Sequence, residues 1–368
     1  MRRLAALCQA FAGLVLGFGA AANDAPRPFR SEPASFATFE GWAGDDHQAA
    51  FGSFRRSCPG VVDGSTATGG RAPEEALVAA CRAALHASEP SAAEARRFFE
   101  ARFDPVEIVP DNGSGFLTGY FEPEYRGSLV RTEEFATPLL APPVGLGDDP
   151  YPDRAAIEAG ALGDKARPLV FLADPIDAFI AHVQGSARIR LDDGRVLRLA
   201  YAGRNGQPYT AIARVLAQRE NIPPGQMDMA GLVAWLRAHP SEAAEVMRLN
   251  RSYIFFRIAK ELARGEGPIG GAGIPLTPGR SLAIDRRYWS YGQPVWLAGK
   301  LPLPEGEMRL ARLAVAQDTG SAIVGPARGD LFFGTGSEAG ARAGLVRHPV
   351  RFVLLRPRPV EGTSPAIR

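Results

Sequence analysis

Between Ala314 and Gly336 the chain reads AVAQDTGSAIVGPARGDLFFGTG. Short β-prone pieces are punctuated by glycines at 320, 325, 329, 334 and 336, which let backbone approach closely or adopt positive φ. Such a run can serve only as short strands and turns. It carries two aspartates. Asp318 opens an Asp-Thr-Gly turn after the β-prone Leu313-Ala314-Val315, and Asp330 is followed at once by Leu331, Phe332 and Phe333. Carboxylates beside apolar, β-prone residues lie at strand ends, where burial raises a pKa. The run is therefore a candidate active site, although Asp-Thr-Gly is equally an ordinary turn or helix-cap sequence.

The 368 residues suit about two domains with a sizeable core. Arg2-Arg3, a mostly apolar stretch over 4–18 and the small Ala20-Ala21-Ala22 read as a signal peptide of residues 1–22. The apolar stretch is short of the roughly 20 residues a membrane span needs. Leu7 before Cys8 argues against a lipoprotein, so no lipid anchor is expected. Without Arg2 and Arg3 the basic and acidic residues are equal in number, which argues against a nucleic-acid partner. In an exported chain the two remaining cysteines, Cys58 and Cys81, are expected to pair. The five histidines are scattered and no Cys-x-x-Cys occurs, so no metal is expected.

Residues 23–35 read as an extended lead-in. Three helices follow: one capped by Asp45 or Asp46, a second over 73–86, and a third opened by Ser91 and Glu94 as a capping box. Cys58 falls just beyond the first. Strands are expected over 106–109 and 115–125, joined by a turn at 111–113. In GFLTGYFEPEY, Thr118, Tyr120 and Glu122 alternate with Leu117, Gly119 and Phe121, giving a polar, aromatic face or simply an amphipathic strand. Residues 126–250 read as a separate inserted unit: a Pro-rich loop, a helix from Asp174-Pro175, hairpins at Asp193-Gly194 and Asn205-Gly206, then two helices. Strands resume over 252–259, 281–285, 294–298, 310–317, 330–333 and 351–355, a pattern that suggests a barrel. Its domain would combine 23–125 with 251–360, the first part helical, leaving 361–368 as a tail.

Two alternatives fit parts of this pattern. Asp-Thr-Gly-Ser occurs in aspartic proteases, which need two such loops, and this chain has one. A non-catalytic glycan-binding barrel could stack Trp289, Trp296, Phe332 and Phe333 on sugars.

Six blocks in order carry a resemblance from about residue 103 to 357: Thr118-Gly-Tyr-Phe-Glu-Pro, His182-Val-Gln-Gly-Ser, Asn250-Arg-Ser-Tyr-Ile-Phe-Phe-Arg, Pro275-Leu-Thr-Pro-Gly-Arg-Ser-Leu-Ala-Ile-Asp, Ala316-Gln-Asp-Thr-Gly and Gly329-Asp-Leu-Phe-Phe-Gly-Thr-Gly. In these the chain resembles the membrane-bound lytic transglycosylase A family, glycoside hydrolase family 102. The resemblance implies a mainly β fold with flanking helices: a double-psi β-barrel with a smaller β-domain inserted and a glycan groove between them. It implies cleavage of peptidoglycan glycan strands with 1,6-anhydromuramic ends, without metal or nucleotide. Asp285, Asp318 and Asp330 resemble the family's three-aspartate module. Asp330 is expected as the catalytic acid and base and Asp318 as its supporting group. Thr118, Tyr120, Glu122, Gln184, Ser186 and Asp285 are expected around the substrate. Ser321 and Val324 stand where the family pattern has Gly and Lys, and the family's lipid-anchoring cysteine is absent. The expected setting is a periplasmic monomer, loosely associated with the outer membrane, that works among other cell-wall enzymes.

Overall fold

The computed structural model describes residues 28–67, 70–111, 113–147, 151–223, 227–263, 265–304 and 306–359. The expected signal peptide, the first part of the lead-in, Asn112 of the first turn and the tail over 361–368 lie outside these residues. The described chain opens with strand β1 (Phe29–Pro33) and helices α1 (His47–Asp63), α2 (Glu75–His86) and α3 (Ala92–Arg102). Asp46 caps α1 by accepting from the Ala49 N–H at 3.0 Å, and Ser91 and Glu94 form the capping box of α3. Cys58 is inside α1, not beyond it: the helix runs through Pro59, because Phe54, Cys58 and Val61 share its buried face. That packing outweighs the hydrogen bond lost at proline. A Cys58–Cys81 disulfide joins α1 to α2, with Cα atoms 4.9 Å apart. Phe51, Phe54, Phe99 and Phe103 pack these helices against Trp42, Trp296 and Leu313.

Next come β2 (Phe103–Pro110) and β3 (Gly115–Glu122), where Pro123 ends the strand that was expected to reach Tyr125. A second sheet follows, built from β4 (Glu124–Ser128), β5 (Thr137–Ala141), β6 (Arg167–Leu172), β7 (Ser186–Arg190), β8 (Val196–Arg204) and β9 (Ile254–Ile258), in the order β5-β6-β4-β7-β8-β9. Helices α4 (Arg154–Glu158), α5 (Pro175–Gln184), α6 (Ile212–Arg219), α7 (Met229–Ala238) and α8 (Pro240–Arg248) accompany it. β9, expected in the barrel, pairs with β8, so this sheet extends from Glu124 to Ile258, beyond the expected limits at 126 and 250. The hairpin expected at Asn205-Gly206 is not formed. Asn205 is fully buried, donates to the carbonyls of Pro152 and Arg251, and accepts from the Tyr253 N–H. It ties three segments together, and the chain beyond Pro208 enters α6.

The remaining elements are β10 (Ser281–Ile284), β11 (Pro294–Leu303), β12 (Gly306–Asp318), β13 (Arg328–Thr335), α9 (Gly336–Leu345) and β14 (Arg347–Pro357). Pairing runs β14-β11-β12-β10-β13-β3 and returns to β14, a closed six-stranded barrel. β10–β12 and β13–β3 pair in parallel and the other four pairs are antiparallel. Leu117, Leu282, Leu331, Val295 and Phe352 are among the side chains that fill its core. The expected barrel with a second sheet inserted between its strands is the architecture observed.

Candidate active site

Neighbouring strands bring the two aspartates together. Ala283 on β10 is in register with Asp318 on β12 and with Asp330 on β13. Asp330 is also in register with Thr118 on β3. The aspartates thus flank a small residue, and all four positions line one cavity of about 780 Å³. Tyr120, Gln184, Tyr209, Arg214, Arg328 and Arg347 line it too, so both units contribute walls. The loop over 319–327 forms one side, and Ser321 and Val324 lie on it.

The two carboxyls are held differently. Asp318 accepts three hydrogen bonds: from the Tyr120 hydroxyl and from the N–H groups of Gly271 and Thr319, each at 2.8 Å. Burial pushes its pKa up, while these donors pull it down. A Cβ at Gly271 would overlap the Tyr291 hydroxyl, so any larger residue there requires that ring to shift. Among the described residues Asp330 accepts one hydrogen bond, from Thr118 Oγ1 to Oδ1 at 2.6 Å. Burial pushes its pKa up to about 6, opposed by the Arg328 charge and the Thr118 hydrogen bond and assisted by the charge of Asp318. A carboxyl poised near 6 can hold a proton before reaction and release it during one.

Glu122, Ser186 and Asp285, expected around the substrate, are not among the residues that line this cavity. Glu122 is fully buried. Its carboxylate receives Arg188 Nε at 2.7 Å, Arg198 Nη2 at 3.1 Å and the Thr335 hydroxyl at 2.8 Å. Its side chain faces inward between the two sheets. Ser186 is buried in β7, opposite Ala200. Asp285 accepts from the N–H groups of Gly325 and Arg287 and from the Arg287 guanidinium, which fixes the far end of the 319–327 loop. Gln184 lines the cavity, and its Oε1 accepts from the Phe121 N–H at 3.2 Å.

Sequence reading missed Tyr209, Arg214, Arg328 and Arg347. Tyr209 lay in the expected hairpin strand and instead lines the cavity, where burial and, to a smaller extent, the charge of Asp330 push its pKa up. Arg328 was legible in principle, because positions i and i+2 of a strand share a face.

The chain is similar to known proteins in sequence and in fold. The MltA specific insert domain model matches residues 116–257 and the 3D domain model matches 280–356. Membrane-bound lytic murein transglycosylase A of Escherichia coli (strain K12) is 35% identical over 266 residues, 70% of each chain. The Vibrio cholerae protein of that name is 32% identical over 242 residues, 64% of each. The crystal structure of a membrane-bound lytic murein transglycosylase from Agrobacterium tumefaciens superimposes with a TM-score of 0.76 at 33% identity, covering 89% of this chain and 97% of that one. MltA from Neisseria gonorrhoeae gives 0.73 at 30%, covering 92% and 95%. By this likeness in sequence, domain order and fold, the chain belongs to the membrane-bound lytic murein transglycosylase A family.

Proposed function

We propose that the chain is a lytic murein transglycosylase in which Asp330 alone serves as acid and then base. The observation that carries this reading is the contrast between the two carboxyls: Asp318 is held by three donors, whereas Asp330, with its pKa raised to about 6, accepts one hydrogen bond among the described residues and lines the cavity. Asp330 protonates the oxygen between N-acetylmuramic acid and N-acetylglucosamine, and the C1–O bond breaks. The carboxylate left behind takes the proton of the C6 hydroxyl on the same muramic residue. That oxygen attacks C1, closing a 1,6-anhydro ring and returning the proton to Asp330. The nucleophile is intramolecular, so it acts at high effective concentration and no second carboxylate is needed to activate water.

Asp318 is the supporting group. It fixes Tyr120 and the backbone at Gly271 and adds the negative charge that helps Asp330 hold its proton. Tyr120, Gln184 and Tyr209 present polar and aromatic groups to the glycan from both walls. The structure of E. coli MltA with bound chitohexaose, similar at a TM-score of 0.67 and 27% identity, supports a glycan as the ligand class. No observation favours a protease: Asp330 sits within a strand and not in a second Asp-Thr-Gly turn. Asp330→Asn, with unchanged circular dichroism, is expected to lower the rate of murein digestion at least about 100-fold. Near-full activity would sink the assignment.

The relatives are named membrane-bound, and no helix among the described residues is long and apolar enough to cross a membrane. We place this chain in the periplasm after removal of residues 1–22, without acylation. Intact-mass measurement of the exported protein tests this, and added acyl mass would refute it.

A further inference from the structure

Arg328 and Thr118 form a chain of two hydrogen bonds ending on Asp330. Arg328 Nη2 donates to Thr118 Oγ1 at 2.8 Å, and Thr118 Oγ1 donates to Asp330 Oδ1 at 2.6 Å. A threonine hydroxyl has a single hydrogen, and a guanidinium only donates. Arg328 occupies one of the hydroxyl's two lone pairs, and the hydroxyl hydrogen is directed at Oδ1, the carboxyl acceptor 2.6 Å away. Oδ1 is then an acceptor, and the proton of a neutral Asp330 sits on Oδ2, which has no hydrogen-bond partner among the described residues. Arg328 is itself fixed: its guanidinium lies 5.6 Å from the centre of the Phe116 ring and donates to the Gly329 carbonyl.

We infer that Arg328 is a positioning residue for the reaction, acting through Thr118 to select the oxygen of Asp330 that carries the transferable proton and to stabilise the carboxylate formed when that proton leaves. The inference rests on Asp330 being the acid and base. Thr118 is then a relay, and its expected contact with substrate is secondary. The groups facing Asp330 set the signs. Arg328 on its own strand and Thr118 on β3 draw the proton off, whereas Asp318 on β12 and burial hold it on. Tyr120 on β3 and Tyr209 from the second unit face it as neutral phenols whose own pKa values are raised. Arg347 on β14 bears on Arg328, and its charge, like burial, lowers the Arg328 pKa. Across one turnover Asp330 gives and regains one proton, so the relay contributes no proton of its own.

The test compares wild type with Arg328→Gln, Thr118→Val, Thr118→Ser and the Arg328→Gln/Thr118→Val double variant. Release of anhydro-muropeptides is followed from about pH 4 to pH 8, and the Asp330 carboxyl is titrated by carbon NMR. Both single variants should raise the Asp330 pKa and move the alkaline limb upward by about half to one unit, a roughly three- to tenfold change in proton affinity. The rate at the optimum should fall, because the leaving proton loses its compensating charge. Thr118→Ser, which keeps the hydroxyl, should restore the limb. The double variant should shift less than the sum of the single ones, since both changes break the same chain and only the direct Arg328 charge acts apart from it. A uniform loss of rate with the limb and NMR titration unmoved would overturn the inference and leave a merely structural role. Additive shifts in the double variant would also overturn it. Failure of the underlying reading shows separately, as a wild type that releases no anhydro product.

Discussion

At the scale of single residues, Asp330 pits function against stability. Its ordinary pKa of 3.8 is raised to about 6, so ionisation opposes folding. A carboxyl with a raised folded-state pKa leaves stability intact below its unfolded pKa, and that stability is lost as pH rises through the folded value. Asp330→Asn is therefore expected to match wild type at pH 4 and to be more stable at pH 8. The difference is at most about 3 kcal/mol, and less to the extent that water in the cavity screens the charge. Urea unfolding at the two pH values checks this, and a variant less stable at pH 8 would contradict it. Activity should show the same titration. The acid form is required first, so the rate of murein digestion should fall above about pH 6, by about 100-fold two units higher if chemistry limits the rate. Both aspartates were legible as carboxyls beside apolar, glycine-broken strands. Their expected division of roles rested on the apolar residues after Asp330 and on the family resemblance, whereas the Gly271 N–H and the Tyr120 hydroxyl that hold Asp318 arrive from distant segments and were not legible.

At the scale of elements, α1 holds the strand that carries Asp318. Gln317 is fully buried; its amide nitrogen donates to the Ser53 carbonyl at 2.7 Å and the Ser57 hydroxyl at 2.8 Å, and its oxygen accepts from the Ser53 and Ser281 hydroxyls. Gln317→Leu would strand several buried polar groups and should destabilise by at least about 2 kcal/mol. One turn along α1, Cys58 is tied to Cys81 over a separation of 23 residues. Replacing both cysteines by serine should cost about 3 kcal/mol, seen as a lower midpoint in urea. An unchanged midpoint would mean that the bridge constrains nothing. The caps and apolar spacing made α1 to α3 legible in the amino-acid sequence. α9 was not, since Gly336, Gly340 and Gly344 lower its helix propensity. It forms because it packs on β3 at Gly119, where a Cβ would meet the backbone of Ala343. Tertiary contact outweighed local preference there, as it did at Asn205.

At the scale of the whole molecule, Glu122 joins the two units. It lies at the end of β3 in the barrel, its arginine partners lie on β7 and β8 of the second sheet, and Thr335 closes the set from β13. Removing one member of such a buried cluster leaves uncompensated charge and costs roughly 3–5 kcal/mol. Glu122→Ala should lose that stability and, on the proposed function, also weaken glycan binding, because the cavity walls would no longer be held in register. Calorimetry with chitohexaose would show it, and unchanged affinity would separate the joint from the groove. The alternation in GFLTGYFEPEY correctly grouped Glu122 with Thr118 and Tyr120. It could not reveal that the strand ends at Pro123, where the chain passes from the barrel into the second sheet, so that the same face turns from cavity wall to buried joint. The identity of the product decides the central claim. Purified murein should be digested by the enzyme and the muropeptides weighed by mass spectrometry, beside a lysozyme digest of the same sacculi. With Asp330 acting alone and the C6 hydroxyl as nucleophile, we expect 1,6-anhydromuramoyl ends, each fragment one water lighter than its lysozyme counterpart. Reducing muramic ends would contradict that chemistry and require a water nucleophile.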